Sequence, residues 1–210
     1  MRTDDLIRAL ATDGARPAVP IDRSLTGAML IGVALSVMLF VMTLHARSDI
    51  ALAFSVPGFC LKLIVTVLLG ASAITMLSDA ARPIPRLRWR RLLLAPAILV
   101  AAVVFELSTV PAHLWPARLI GHNAPHCLSL IPLLSLAPAA CLLMALRRGA
   151  PSRPACAGAI AGVLSGAVGA TLYALTCPDD SALFVVTWYS IAIIAVTAAS
   201  TYIGSRILRW

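Results

Sequence analysis

Two short stretches of the sequence gather side chains of the kinds that bind soft metals or undergo redox chemistry. The first places His122, His126 and Cys127 within six residues, and the second, residues 177–181, joins the thiol of Cys177 to two carboxylates. Imidazole and thiolate are the usual ligands of zinc and of softer metals. Two thiols can instead form a disulfide, provided that their Cα atoms approach each other closely enough.

The spacing of these groups fits no established zinc motif, so three interpretations stay open. A metal site would take Cys127 and Cys177 as ligands, with His122 and His126 as further ligands. A redox pair would need only the two thiols. In the third interpretation these residues lie at the membrane interface without any chemistry. The sequence indicates no resident cofactor, and a metal at the two cysteines would be a transient one.

Glu106 is the only glutamate in the chain, and it lies within an apolar stretch. Ionisable groups inside a membrane span are expensive and by default mark function. A proton or ion path is therefore one interpretation. We favour a structural pair with Lys62 or Arg118, because a transporter normally shows more than one such buried group.

No catalytic set accompanies these residues. The sequence contains no nucleophile with a placed base, no glycine-rich phosphate loop and no HExxH pair. We therefore predict that the protein is not an enzyme.

The composition indicates which kind of molecule has to position these groups. Of the 210 residues, 60% are hydrophobic and 12% are charged, and the mean hydropathy is +0.92. Soluble domains carry about twice that charge, so the composition excludes a soluble enzyme, a disordered chain and a disulfide-dense secreted module. The net charge of +8 comes from arginines that lie mainly between apolar runs, which argues against a nucleic-acid surface.

Six apolar segments are long enough to cross the hydrocarbon core of a membrane, which takes about twenty residues in a helix. The sequence therefore predicts an all-α protein, a six-span transmembrane helical bundle with short loops, preceded by a polar segment over residues 1–23. Lys62 lies close to one end of the second span, where we expect its ammonium to reach the lipid headgroups. The predicted spans of the domain over residues 24–210 are 24–45, 58–78, 92–112, 126–146, 157–176 and 182–205.

The arginines between the spans predict the orientation of the bundle. Fourteen of them lie in the N-terminal segment, in the second and fourth connections and at the C-terminus. The other connections hold only Arg47 and Arg118, with Lys62 counted as embedded in the membrane. This asymmetry predicts a multi-pass protein with both termini in the cytoplasm.

The fifth predicted span carries small residues at every fourth position, namely Gly158, Gly162, Gly166 and Ala170. Such a face allows another helix to approach closely. We favour tight packing inside the bundle, and a homodimer seam is the alternative.

The N-terminal polar segment begins with a predicted helix of two turns that has one apolar face. A helix so short is marginal alone, so we favour one that folds on a partner protein over one that lies on the membrane surface. Leu6, Ile7 and Leu10 would then be the apolar anchors. Asp4 and Asp5, in the first turn, would complement the helix dipole and meet basic residues of the partner.

Four short motifs stand in order along the chain. They are residues 1–7 (MRTDDLI), 121–127 (GHNAPHC), 146–151 (LRRGAP) and 177–181 (CPDDS), the last followed by Phe184, Trp188 and Tyr189. In these motifs and in its six-span layout, the chain resembles the NrsF-type polytopic membrane anti-sigma factors over essentially its whole length.

The resemblance implies a negative regulator in the bacterial inner membrane that does not itself bind nucleic acid. In that family a cytoplasmic N-terminal segment holds an extracytoplasmic-function sigma factor away from core polymerase. Two periplasm-facing cysteines are linked to the sensing of heavy metals or oxidative stress, and the signal frees the sigma factor. Carried over to this chain, Cys127 and Cys177 form the sensing pair. The sigma-contacting stretch is Thr3, Asp4, Asp5, Leu6 and Ile7, with Leu10 on the same face.

Two other functions stay open on the sequence alone. A small transporter would use Glu106 and Lys62 in an internal path. A thiol-redox membrane protein would cycle Cys127 and Cys177 between thiol and disulfide with a quinone.

Overall fold

The computed structural model describes residues 3, 5, 20–44, 47, 49–81, 89–149 and 151–208. These residues form helices joined by short connections, and no β-strand occurs among them. Six helices are long and apolar enough to cross a membrane, which confirms the predicted all-α, six-span fold. They are α1 (Ile21–Thr43), α2 (Pro57–Ala80), α3 (Trp89–Thr109), α4 (Ala124–Leu146), α5 (Pro154–Ala174) and α6 (Ala182–Ile207).

The predicted span boundaries lie within three residues of those observed. Two of the helices are composite. α3 consists of Trp89–Leu92 and Leu94–Thr109, and α6 consists of Ala182–Phe184, a π-helical stretch over Val185–Tyr189, and Ser190–Ile207. The connections add the short helices Ile50–Ala53 and Trp115–Ile120 and the 3-10 turn Ala112–Leu114.

The bundle has two ends, which we name by what they carry. The loop end carries the connections over 44–56, 110–123 and 175–181. The arginine end carries the C-termini of α4 and α6, with Arg147, Arg148 and Arg206 exposed there. We predict that the loop end faces the periplasm and the arginine end the cytoplasm. The division into residues 1–23 and 24–210 also stays a prediction.

Helix α5 lies at the centre of the bundle because its small residues let other helices approach. A Cβ added at Gly158 would lie 2.5 Å from the carbonyl oxygen of Ser200, and one at Gly162 would lie 2.7 Å from the Cα of Thr197. Both neighbours belong to α6, which therefore covers the glycine face. The favoured interpretation of that face, packing inside the bundle, is confirmed.

Helix α1 packs on α4 around Pro138. Proline has no N–H, so the carbonyl of Leu134, four residues earlier, lacks its helical donor. The hydroxyl of Ser36, which is fully buried on α1, donates to that carbonyl at 2.6 Å. Gly32, one turn before Ser36, permits the close approach, since its added Cβ would lie 2.6 Å from the Cα of Pro138.

Helix α3 is the most peripheral of the six. Only 17% of its most apolar stretch is buried inside the bundle, against 61% for α5. Its large side chains Val104 and Phe105 are exposed, as the lipid-facing side of a membrane helix requires. The position of α3 therefore depends more than that of α5 on the polar contacts at its ends.

Candidate functional site

The connection between α5 and α6, residues 177–181, lies at the centre of the loop end, and we call it the 177–181 loop. Cys177 at its start and Cys127 on the first turn of α4 are both free thiols. Both are buried, at 1% and 0% exposure, in one cluster that also contains Tyr173 and Tyr189. The structure therefore brings the two predicted sensing cysteines into the same shielded site.

Asp180 ties the 177–181 loop to α2. Its Oδ1 lies 2.5 Å from the Nζ of Lys62, and the same ammonium donates to the carbonyl oxygen of Cys177 at 2.6 Å. Lys62 is fully buried. The prediction that Lys62 reaches the lipid headgroups is wrong, because these two oxygens satisfy its ammonium inside the bundle.

Arg47 supplies a second cation to Asp180. Its Nη1 lies 3.2 Å from Oδ2 of Asp180, and its Nε lies 2.7 Å from Oδ1 of Asp49. The Asp49 hydrogen bond raises the pKa of Arg47 and, from the other side, lowers the pKa of Asp49. The backbone N–H of Arg47 also donates to the carbonyl of Leu175 at 3.2 Å, so this connection is fastened next to the 177–181 loop.

Glu106 ties α3 to the start of α6. Its Oε1 lies 2.9 Å from Nη1 of Arg118 and accepts a hydrogen bond from the hydroxyl of Ser181 at 2.7 Å. Its Oε2 accepts from the backbone N–H groups of Ala182 and Leu183 at 2.6 and 3.2 Å. These N–H groups have no partner within their own helix, so a carboxylate from another helix caps α6. The favoured interpretation, a structural pair, is confirmed with Arg118 as the partner.

Asp179 fastens the turn that precedes α4. Its Oδ2 accepts hydrogen bonds from the backbone N–H of His122 at 3.1 Å and from the backbone and side-chain N–H groups of Asn123, both at 3.0 Å. The turn before α4 contains Gly121 at φ 58°, a conformation that favours glycine. A Cβ there would meet the Phe184 ring at 2.5 Å.

The predicted metal ligands are not brought together. The side chain of His122 is 95% exposed and that of His126 is also exposed, whereas Cys127 and Cys177 are buried. Across the described part of the chain, no group of three or more His, Cys, Asp or Glu side chains is placed to hold a metal ion. Of the three interpretations, the geometry supports the thiol pair more than a four-ligand site.

The environment keeps the thiol of Cys177 protonated. Burial raises its pKa, and the nearby positive charge of Lys62 offsets part of that effect. A thiolate is the form that binds metals and attacks oxidants. In this arrangement Cys177 is therefore less reactive towards metals and oxidants than an exposed thiol.

An open cavity of about 770 Å³ reaches this site from the surface, between α2, α3 and the 177–181 loop. Its ionisable lining comes from Glu106, Arg118, His122, Asp179 and Asp180. The cavity therefore exposes groups that fasten the 177–181 loop, whereas neither Cys127 nor Cys177 lines it.

Sequence reasoning missed most of this polar network. From the sequence, Asp179 and Asp180 are recognisable only as carboxylates near a thiol. Arg47 is recognisable only as an exception to the asymmetric distribution of arginines. The available signal was the presence of Arg47 and Arg118 in connections that otherwise hold no arginine, since each of them pairs with a carboxylate in the structure.

The predicted sigma-contacting residues mostly lie outside the described residues. This applies to Asp4, Leu6, Ile7 and Leu10. Thr3 and Asp5 are helical and exposed, and the role of this stretch stays a prediction.

Comparisons with known proteins match the chain over nearly its whole length. A family described as "Negative regulator of sigma F", NrsF, matches residues 10–210. The chain is 35% identical to an anti-sigma-F factor NrsF of Caulobacter vibrioides and 30% identical to a probable anti-sigma-F factor NrsF of Azospira oryzae, in each case over the full length of both proteins. No solved structure matches the chain.

Proposed function

This chain belongs to the NrsF family of negative regulators of sigma F, and from that premise we propose that it is an integral membrane anti-sigma factor. Its cytoplasmic N-terminal segment holds an extracytoplasmic-function sigma factor at the inner membrane. The sigma factor is released when Cys127 and Cys177, facing the periplasm, sense heavy metal or oxidative stress. The observation that carries the proposal is the full-length similarity to two anti-sigma-F factors.

The N-terminal helix supplies the partner contact in this proposal. Leu6, Ile7 and Leu10 bind an apolar groove of the sigma factor, and Asp4 and Asp5 pair with basic residues at its edge. To change capture from nearly complete to nearly absent, the state that holds the sigma factor and the state that releases it must differ in binding free energy by about 5.5 kcal/mol. Two helical turns are too short for that alone, so the arginines of residues 82–91 and 147–153 contribute further contacts to an acidic sigma surface.

The cysteine pair supplies the signal input. A metal bound by both thiolates, or a disulfide between them, would replace the two neutral thiols that the buried cluster now accommodates. Either product changes charge or geometry beneath the 177–181 loop, to which α2, α3 and α4 are all fastened. A change at the two thiols therefore acts on several helices at once, and these helices continue to the arginine end.

Transport is not the function that the geometry favours. Glu106 and Lys62, the two groups that an internal path would need, are paired with Arg118 and Asp180. Their charges are thereby neutralised by fixed partners.

Co-purification tests the proposal directly. Membranes containing the full chain are solubilised and probed for a bound sigma factor, alongside a chain lacking residues 2–16. We expect retention that depends on this segment. A triple variant, Leu6→Ala with Ile7→Ala and Leu10→Ala, should lose the partner as well. The matched control Thr12→Ala, in the same segment but off the apolar face, should keep it. No partner on the intact chain would reject the proposal.

A further inference from the structure

An apolar groove of about 420 Å³ lies between α4 and α6. Small side chains such as Ala139 and Ala199 form much of its lining. On α6 the lining extends to Ile207, the last helical residue, so the groove runs to the arginine end.

The length of the groove matches one leaflet of a bilayer. Along α4 it extends from Pro132 to Met144, a rise of about 18 Å at about 1.5 Å per residue. Half of a hydrocarbon core of about 30 Å is about 15 Å. A lipid acyl chain fills such a depth.

Two exposed arginines stand where the groove meets the membrane surface. Arg147 keeps a helical backbone, and its N–H donates to the carbonyl of Leu143 at 3.3 Å. Four residues after Leu143, it lies on the same face of α4 as the groove. Arg206 follows the groove residue Ile203 by three positions, and its guanidinium lies 5.4 Å from the centre of the Tyr202 ring.

We propose that this groove binds one acyl chain of an anionic phospholipid, whose phosphate is held by Arg147 and Arg206. Guanidinium groups bind phosphate through paired, charge-assisted hydrogen bonds. A neutral lipid would gain the apolar contacts of the groove but not the attraction of the two cations for a net negative headgroup. This site shares Arg147 with the arginines that we propose to contact the sigma factor, so its test measures lipid binding by the purified chain alone.

Native mass spectrometry of the purified full chain in detergent tests the site. Phosphatidylglycerol and phosphatidylcholine with identical palmitoyl and oleoyl chains are titrated separately. We expect one phosphatidylglycerol to bind more tightly than phosphatidylcholine. Arg147→Gln and Arg206→Gln should each reduce that preference about fivefold, the ratio that corresponds to about 1 kcal/mol per arginine.

Arg148→Gln is the matched control, because it removes the same charge one residue away from the groove face. It should keep the preference. Ala139→Phe fills the groove and should weaken both lipids together. Should Ala139→Phe fail to fold, the exposed arginine variants still decide the outcome. Equal binding of the two lipids, or an equal loss in Arg148→Gln, would overturn the proposal. A dimer in lipid-free detergent that Ala139→Phe dissociates would do so as well, by assigning the groove to a second copy.

Discussion

At the scale of single residues, the most consequential side chain is Lys62. A lone ammonium inside a membrane bundle is unfavourable, and here it is balanced by Asp180 and the carbonyl of Cys177, both from the 177–181 loop. The lysine thus fixes the loop that covers the thiols. Its burial is explained by these partners and not by its position along the helix.

Replacing Lys62 with Met should destabilise the protein. Removing one partner of a buried ion pair costs about 3 to 5 kcal/mol, and we expect the lower end of that range because Arg47 still compensates Asp180. The thermal unfolding midpoint in detergent measures the effect. Asp49→Asn is the control, because it removes a carboxylate that also binds Arg47 but is exposed to solvent, and it should change the midpoint little. Equal losses in the two variants would contradict the assignment.

The buried thiol of Cys177 predicts that the free energy of unfolding falls as the pH rises, whereas a paired carboxylate has the opposite effect. Its pKa is raised in the folded protein, so as the pH increases above about 8.5 the unfolded chain loses this proton first. Stability is therefore full below that pH and falls as the pH rises towards the folded pKa. Unfolding midpoints between pH 7 and 10 should decline more steeply for the natural chain than for Cys177→Ala. Parallel curves would show that this thiol is not shielded.

At the scale of helices, the sequence predicts the spans and the packing face of α5 well. Apolar length identifies a membrane helix, and small residues at every fourth position identify its packing face, because both properties are local. The partners of Lys62 and Glu106 are not local. They lie 118 and 12 residues away along the chain, and the choice among several loop-end charges depends on how the helices are arranged.

The glycine face of α5 gives a prediction with an internal control. Gly158→Ala places a methyl group 2.5 Å from a backbone oxygen of α6, so the two helices must separate. We expect a loss of about 1 to 3 kcal/mol, the usual effect of overpacking, in unfolding by a denaturing detergent. Gly27→Ala on α1 meets no atom within 4 Å and should be neutral or slightly stabilising. Equal behaviour of the two variants would refute the packing argument.

The contact between α1 and α4 gives a second prediction for a helix pair. Ser36→Ala removes the donor to the Leu134 carbonyl, which Pro138 already deprives of its helical bond. A buried carbonyl left without a partner costs about 1 to 3 kcal/mol. The control is Thr43→Ala, whose hydroxyl donates to Leu39 within its own exposed turn. Unfolding in a denaturing detergent should show a larger loss of stability for Ser36→Ala than for Thr43→Ala. A neutral Ser36→Ala would mean that the carbonyl finds another donor.

At the scale of the whole molecule, the loop end is one connected unit. Asp179, Asp180 and Ser181 are successive residues, and each makes a polar contact with a different helix or connection. In the proposed mechanism, a chemical change at the neighbouring thiols would be transmitted through these contacts to several helices at once.

Replacing the thiols should uncouple the signal from the response. In cells carrying a reporter of the sigma factor, Cys127→Ser and Cys177→Ser should each keep the protein in the membrane but change induction by heavy metals and oxidants. Cys141→Ser, at a partly buried thiol outside the site, is the control and should respond normally. Unchanged induction by every metal and oxidant tested would reject the sensing role of the pair.

The contacts that residues 177–183 make with earlier helices form in a fixed order during biosynthesis. Proteins are made from the N-terminus, so Lys62 and Asn123 are in place before residues 177–183 leave the ribosome. Until the last span is added, the ammonium of Lys62 has neither of its two partners from the 177–181 loop. The addition of α5, α6 and the loop between them therefore does more than complete the bundle. It neutralises a charge that entered the bilayer much earlier, and a chain that stops short of Cys177 leaves Lys62 without these two partners.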